Sequence, residues 1–364
     1  MDKRFRIAGI SAAIIFAIAI WLSPSNPPPI PEPMTKDGNE FVQILATNLE
    51  KPWAIDFADD KIFVTEKVGR IRVIESGVLL ENPLATLRTA NVFDGGLLGI
   101  AVHPAFDKNH FIYVYFTYKN DDILWNKILR ITESDNKLDD AKTIFDKIPG
   151  SAYSNGGVIK FGPDGKLYVG TGSASDSSHG PQDIQSLEGK ILRLNDDGTI
   201  PDDNPFLDSP VFSLGHRDPK GLGWDDFGNL FVTETGPSKN DEINLVKAGG
   251  NYGWPDLECS GNGQFIDPLN CYDPAIEPGG IVFYYGDKMK LENPLVLASL
   301  RASHLFNLEI DEDGVKSQTS ILSGVGRIRD VAVGPDGYLY LITSNTDGKG
   351  FPDSDDDKLL RIVK

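Results

Sequence analysis

Residues Phe161 to Ser173 read FGPDGKLYVGTGS, and this stretch decides the fold. Pro163 fixes φ, Asp164 caps its own turn and Gly165 accepts positive φ, which together specify a tight turn. The residues after the turn are β-rich and alternate, and GKILRL (Gly189 to Leu194) supplies a second strand beyond a loop. The same grammar recurs in FADDKIFVTEKVGRIRVI (Phe57 to Ile74), in WDDFGNLFVTETG with DEINLV (Trp224 to Val246), and in VGPDGYLYLITSN with DKLLRIV (Val333 to Val363). Weaker copies lie at HPAFDKNHFIYVYFTY with NKILRIT, and at SHLFNLEIDEDG. About six units of roughly 50 residues suit a radial array of small sheets better than a sandwich. Helical periodicity is nearly absent after residue 40, so the expected fold is all-β, a six-bladed β-propeller. The last strand, KLLRIV, is expected to pair with N-terminal strands, because an open ring would leave an unpaired edge.

The 364 residues carry 53 acidic against 35 basic side chains, a formal charge of −18. That field repels phosphate backbones, so nucleic acid is excluded as a partner class. Lys3, Arg4 and Arg6 precede the apolar run Ile7 to Leu22, which reads as a signal peptide or an N-terminal membrane anchor over residues 1–22. Residues 23–38 are a Pro-rich linker, and residues 39–364 form the propeller domain. The expected location is extracytoplasmic, secreted or membrane-anchored. Cys259 and Cys271 bracket a Gly/Asn/Pro-rich loop, and in an exported protein a local disulfide is favoured over free thiols.

Four ordered segments carry a more specific signal: GGLLGIAVHPAF (Gly95 to Phe106), SLGHRDPKGLGW (Ser213 to Trp224), ETGPSKNDEINLVKAGGNYGWP (Glu234 to Pro255) and GRIRDVAVGPDGYLYLIT (Gly326 to Thr343). They resemble the glucose/sorbosone dehydrogenase family, sugar dehydrogenases that use pyrroloquinoline quinone (PQQ) on a six-bladed propeller. The resemblance runs from about residue 40 to the end. It implies an oxidoreductase that moves a hydride from an aldose to PQQ, with a sugar and an electron acceptor as partners. Guanidinium groups suit a tricarboxylate quinone, and the resemblance maps the cofactor contacts onto Arg217, Asp218, Arg327 and Arg329. Arg301 stands where a cofactor-contacting lysine is common, and Asp94 where a glutamine usually precedes GLLG. The second implied cofactor is Ca²⁺, a hard cation bound by oxygen ligands. The resemblance places one ion on the carbonyls of Gly236 and Pro237 and another at Glu242 and Tyr252.

The family's general base is a histidine just before a run such as NGG. In this chain that position is Ser154, followed by Asn155, Gly156 and Gly157. Serine is a poor base without an activating partner. The candidate replacements are Asp94 and His179, the latter on the loop after the altered segment. His103 and His110 read as packing or turn residues, and His216 as a hydrogen-bonder that positions Arg217. Two readings follow: a sugar dehydrogenase with a rewired base, or a catalytically degenerate, calcium-stabilised propeller that binds a sugar or a protein partner.

Overall fold

The structure is a computed structural model that describes residues 34–36, 40–175, 179–259, 263–311 and 314–363. The expected signal or anchor over 1–22, and the linker up to residue 33, lie outside the described residues. No helix among the described residues is long and apolar enough to cross a membrane.

Six antiparallel sheets surround one axis. The first blade begins at Pro52–Ala58 and the second at Leu97–Val102. The third begins at Gly156–Phe161, the fourth at Pro219–Trp224, the fifth at Pro278–Phe283 and the sixth at Ile328–Val333. These innermost strands pack one against the next around the ring, the sixth returning to the first. Helix among the described residues is confined to Phe106–Asn109 and the 3₁₀ turn Gly180–Gln182.

The repeated turn explains why these segments become strands. In the third blade Gly165 N–H donates to the Gly162 carbonyl at 2.9 Å with Gly165 at φ 72°. One Asp164 oxygen accepts the Lys166 N–H at 3.1 Å, and the other accepts the Tyr168 hydroxyl at 3.0 Å and Arg193 Nε at 2.9 Å. The sixth blade repeats this with Asp336, which accepts the Tyr338 N–H, the Tyr340 hydroxyl and Arg361 Nη1. Each Asp therefore closes its turn and ties two strands of one blade, which is why the pattern Asp-Gly, Tyr and Arg recurs at this spacing.

Closure follows the expected route. Glu40–Ala46 pairs antiparallel with Leu359–Val363, matching Val42 to Ile362 and Ile44 to Leu360. Glu40–Ala46 and the last described strand thus share the sixth blade, which closes the ring. Met34–Lys36 pairs with Glu40–Val42, so strand structure begins inside the segment expected to be a linker. Cys259 and Cys271 form a disulfide with Cα atoms 5.7 Å apart, as expected.

Candidate active site

The loops that enter the innermost strands meet at one mouth of the ring around a cavity of about 480 Å³. Asp94, Ser154, Arg217, Asp218 and Arg301 line it, together with the Gly236–Pro237 backbone. These residues come from five separate segments of sequence: Asp94, Ser154 and Arg217–Asp218 lead into innermost strands, while Gly236–Pro237 and Arg301 follow the second strands of the fourth and fifth blades.

Arg217 is held before any ligand arrives. Its backbone N–H donates to Glu234 Oε2 at 2.8 Å, and Nη1 donates to the Thr235 and Gly236 carbonyls, each at 2.8 Å. Its guanidinium lies 5.4 Å from the Trp254 ring centroid. Glu234 is fixed in turn by His216, whose Nδ1 lies 2.5 Å from Glu234 Oε1 and whose Nε2 meets Ser213 Oγ at 2.8 Å. His216 is fully buried and stacks on Tyr252. It therefore acts on Arg217 through Glu234, which is the positioning role expected from the GHR segment.

Ser154 sits in the left-handed region at φ 53° and is 3% exposed. Asn155 anchors the loop around it, accepting the Ser151 N–H at 3.0 Å and donating to the Ser151 carbonyl at 2.8 Å. Gly172 is required opposite, because a Cβ there would collide with the Ser154 carbonyl. The Ser154 hydroxyl has no hydrogen-bond partner among the described residues, so nothing activates it as a base. His179 is exposed at the start of the Gly180–Gln182 turn and lies outside the cavity lining. His103 accepts the Ala105 N–H and packs against Phe111, Tyr113 and Phe161, away from the mouth. His110 caps the Phe106–Asn109 helix in the left-handed region.

Asp94, like Asp218 and Glu277, lines both the cavity and a recess beside it. Its backbone N–H donates to the Ala152 carbonyl at 3.0 Å, joining its loop to the Ser154 loop. The recess also contains Lys67, Lys220 and Arg329. Lys67 Nζ donates to the Phe93 carbonyl at 2.5 Å. Burial, then the neighbouring Arg329 charge, pull its pKa down to about 8, while Asp94 acts in the opposite sense. Lys220 Nζ is 2.9 Å from Asp218 Oδ1, which also accepts the Gly156 N–H at 2.9 Å. Asp218 thus braces the Ser154 loop. Lys67 and Arg329 beside Asp94 offset its charge toward an anionic ligand.

Sequence reasoning missed Lys67, Lys220, Glu277 and Lys349. A usable signal was present: every acid placed near an anion site needs a cation, and Lys220 is two residues from Asp218. Arg327 stands behind the cavity, bound to Glu277 Oε2 at 2.8 Å and Asp347 Oδ2 at 3.0 Å. Burial alone would raise Glu277, but Arg327 and Lys349 outweigh it and hold its carboxyl below the ordinary value. Arg329 Nε is buried without a hydrogen-bond partner, and its guanidinium lies 5.9 Å from the Trp53 ring centroid.

Glu242 and Tyr252 are separated from this cavity by Arg217 and Gly236, in a pocket of about 20 Å³ that includes Glu234 and Glu258. Burial, then the Glu234 charge, push Glu242 up to about 8. No group of three or more His, Cys, Asp or Glu residues among the described residues is arranged to hold a metal.

A profile of the family described as Glucose / Sorbosone dehydrogenase matches residues 49–361. The chain belongs to that family. The protein named aldose sugar dehydrogenase YliI from Escherichia coli (strain K12) is 30% identical over 338 residues, covering 85% of this chain and 91% of its own. Quinoprotein glucose dehydrogenase B of Acinetobacter calcoaceticus is 28% identical over 416 residues, covering 86% and 87%. Among solved structures, the PQQ-bound aldose sugar dehydrogenase of Streptomyces coelicolor superposes with a TM-score of 0.79 at 34% identity, covering 91% of this chain and 99% of its own. The family match thus spans all six innermost strands and the segments that build the cationic mouth.

Proposed function

We propose that this protein is a PQQ-dependent aldose dehydrogenase in which Asp94 replaces the family's histidine as proton acceptor. The observation that carries the reading is the concentration of Arg217, Arg301, Arg329, Lys67, Lys220 and Lys349 around one mouth of a chain whose net charge is −18. An anionic, polycarboxylate ligand fits such a mouth. The unpartnered Arg329 Nε supports the same ligand class, since a buried guanidinium donor without an acceptor is costly.

When bound, PQQ supplies a two-electron acceptor for the hydride leaving the sugar's anomeric carbon. Arg217 and Arg329 are the residues best set to bind and orient its carboxylates, with Arg301 and Lys349 at the rim and Arg327 positioning through Glu277. Asp94 faces the cavity and takes the hydroxyl proton as the hydride leaves, so the sugar becomes its lactone. Lys67 offsets the Asp94 charge. A calcium ion would draw on the Gly236 and Pro237 carbonyls, although Gly236 already accepts from Arg217, which leaves it one lone pair. A further cation at Glu242 and the Tyr252 carbonyl would relieve the repulsion between Glu242 and Glu234. Export is supported by the basic-then-apolar N-terminus and by the Cys259–Cys271 bridge, which suits an oxidising compartment.

Reconstitution tests this reading: purified protein with PQQ and Ca²⁺ should reduce an artificial dye when an aldose panel is added. Cofactor binding without turnover would favour the degenerate, ligand-binding reading instead.

A further inference from the structure

Two large aromatic side chains stand exposed together: Tyr153, which lines the cavity, and Phe93, which packs against it. Phe93 is 70% and Tyr153 54% exposed, with ring centroids 4.8 Å apart and planes at 31°. They are brought together by the Asp94 N–H to Ala152 carbonyl bond, which joins the two loops beside them. Tyr153 is fixed further by Ser151, whose Oγ donates to the Tyr153 carbonyl at 2.5 Å and accepts its N–H at 3.1 Å. Phe93 holds a positive φ of 29°, an uncommon conformation for a bulky residue, and its carbonyl is occupied by Lys67 Nζ. Each ring covers one face of the other, and the polar contacts of their backbones leave the outer faces of the pair to solvent.

We propose that the Phe93–Tyr153 pair is the platform on which the sugar substrate lies face-on. This rests on the sugar-oxidising reading above and deepens it. A pyranose has one or two faces of C–H groups and a rim of hydroxyls, so it needs an aromatic surface with polar groups at its edge. Tyr153 lines the cavity together with Ser151, Ser154 and Asp94, which supplies that edge. Asp94 directly follows Phe93, so a ring seated on the platform brings its hydroxyls to the proposed proton acceptor. The pair is too small an apolar surface to hold a folded protein partner, whose interface needs on the order of 800 Å² per side.

Phe93→Ala, Tyr153→Ala and the double variant should fold, since both side chains are exposed. With D-glucose and maltose as probes, the double variant should raise KM about tenfold while kcat changes less than twofold. PQQ affinity by calorimetry should be unchanged, and Phe93→Trp should restore most of the loss. Saturation-transfer NMR on the full chain should lose transfer to the sugar ring protons in the double variant. Unchanged sugar KM would overturn the proposal, as would a raised KM for the dye alone, which would assign the platform to the electron acceptor. If the wild type shows no turnover, the sugar-oxidising reading fails, and saturation transfer decides the platform by itself: signal lost in the double variant supports it, and an absent or unaltered signal refutes it.

Discussion

Replacing Asp94 by asparagine removes the proposed proton acceptor while keeping the side chain's shape. The Asp94 backbone bond to Ala152 does not depend on the side chain, so the junction of the two loops survives. A positioned general base contributes about 10²- to 10⁴-fold in rate, so Asp94→Asn should lower kcat by at least a hundredfold. Its effect on the cofactor should run the other way. Lys67 and Arg329 lose a counter-charge, the recess becomes more positive, and an anionic quinone should bind as tightly as before or more tightly. Stopped-flow dye reduction under saturating PQQ gives kcat, and calorimetry gives the cofactor affinity. Adding Ser154→His should then restore rate, because histidine tolerates the left-handed backbone better than most residues and Ser154 faces the same cavity. The rescued enzyme should show an apparent pKa near 6.5. An Asp94→Asn variant within threefold of wild type, or one that loses PQQ binding together with rate, would refute the assignment.

Arg217→Ala should weaken PQQ binding more than tenfold, since removing one partner of a desolvated ion pair costs roughly 2 to 5 kcal/mol. Its melting temperature should change little, because the Thr235 and Gly236 carbonyls it releases border the cavity and can bind water. Ca²⁺ should raise the melting temperature and chelator lower it, through selective binding to the folded state, with the response lost in Glu242→Gln; identical melting curves with and without chelator would remove calcium from the account. On the ring axis, burial pushes Asp330 up to about 6 from an ordinary 3.8, with Lys160 opposing and Asp56 reinforcing the shift. The folded state holds this proton more tightly than the unfolded state, so the stability it contributes is full below about pH 4 and is lost as pH rises through 6, by up to about 3 kcal/mol. Asp330→Asn should flatten that part of the stability profile measured by denaturant titration between pH 4 and 7.

Fold and site were legible in the sequence to different depths. The Pro-Asp-Gly turns spoke for the propeller because each is a local device: Asp164 closes its own turn and then reaches Tyr168 and Arg193 within the same blade. Ring closure by the last strand was equally readable, because an unpaired edge is a general cost. The clamp arginines came from motif resemblance, and the structure sets Arg217 on the cavity and Arg329 on the recess beside it but ties Arg327 to Glu277 and Asp347. Lys67 was not legible. It belongs to the first blade, and only the ring's curvature carries it to Asp94. The Phe93–Tyr153 pair was hidden for the same reason, since the two residues are sixty positions apart in the chain and meet through one backbone hydrogen bond.

Calorimetric titration of PQQ into the purified protein with Ca²⁺ present tests the central claim most directly. One cofactor should bind per chain, with the affinity reduced in both Arg217→Ala and Arg329→Ala and falling as salt is raised. A flat titration, or binding indifferent to both arginines, would contradict the assignment of this mouth to the quinone.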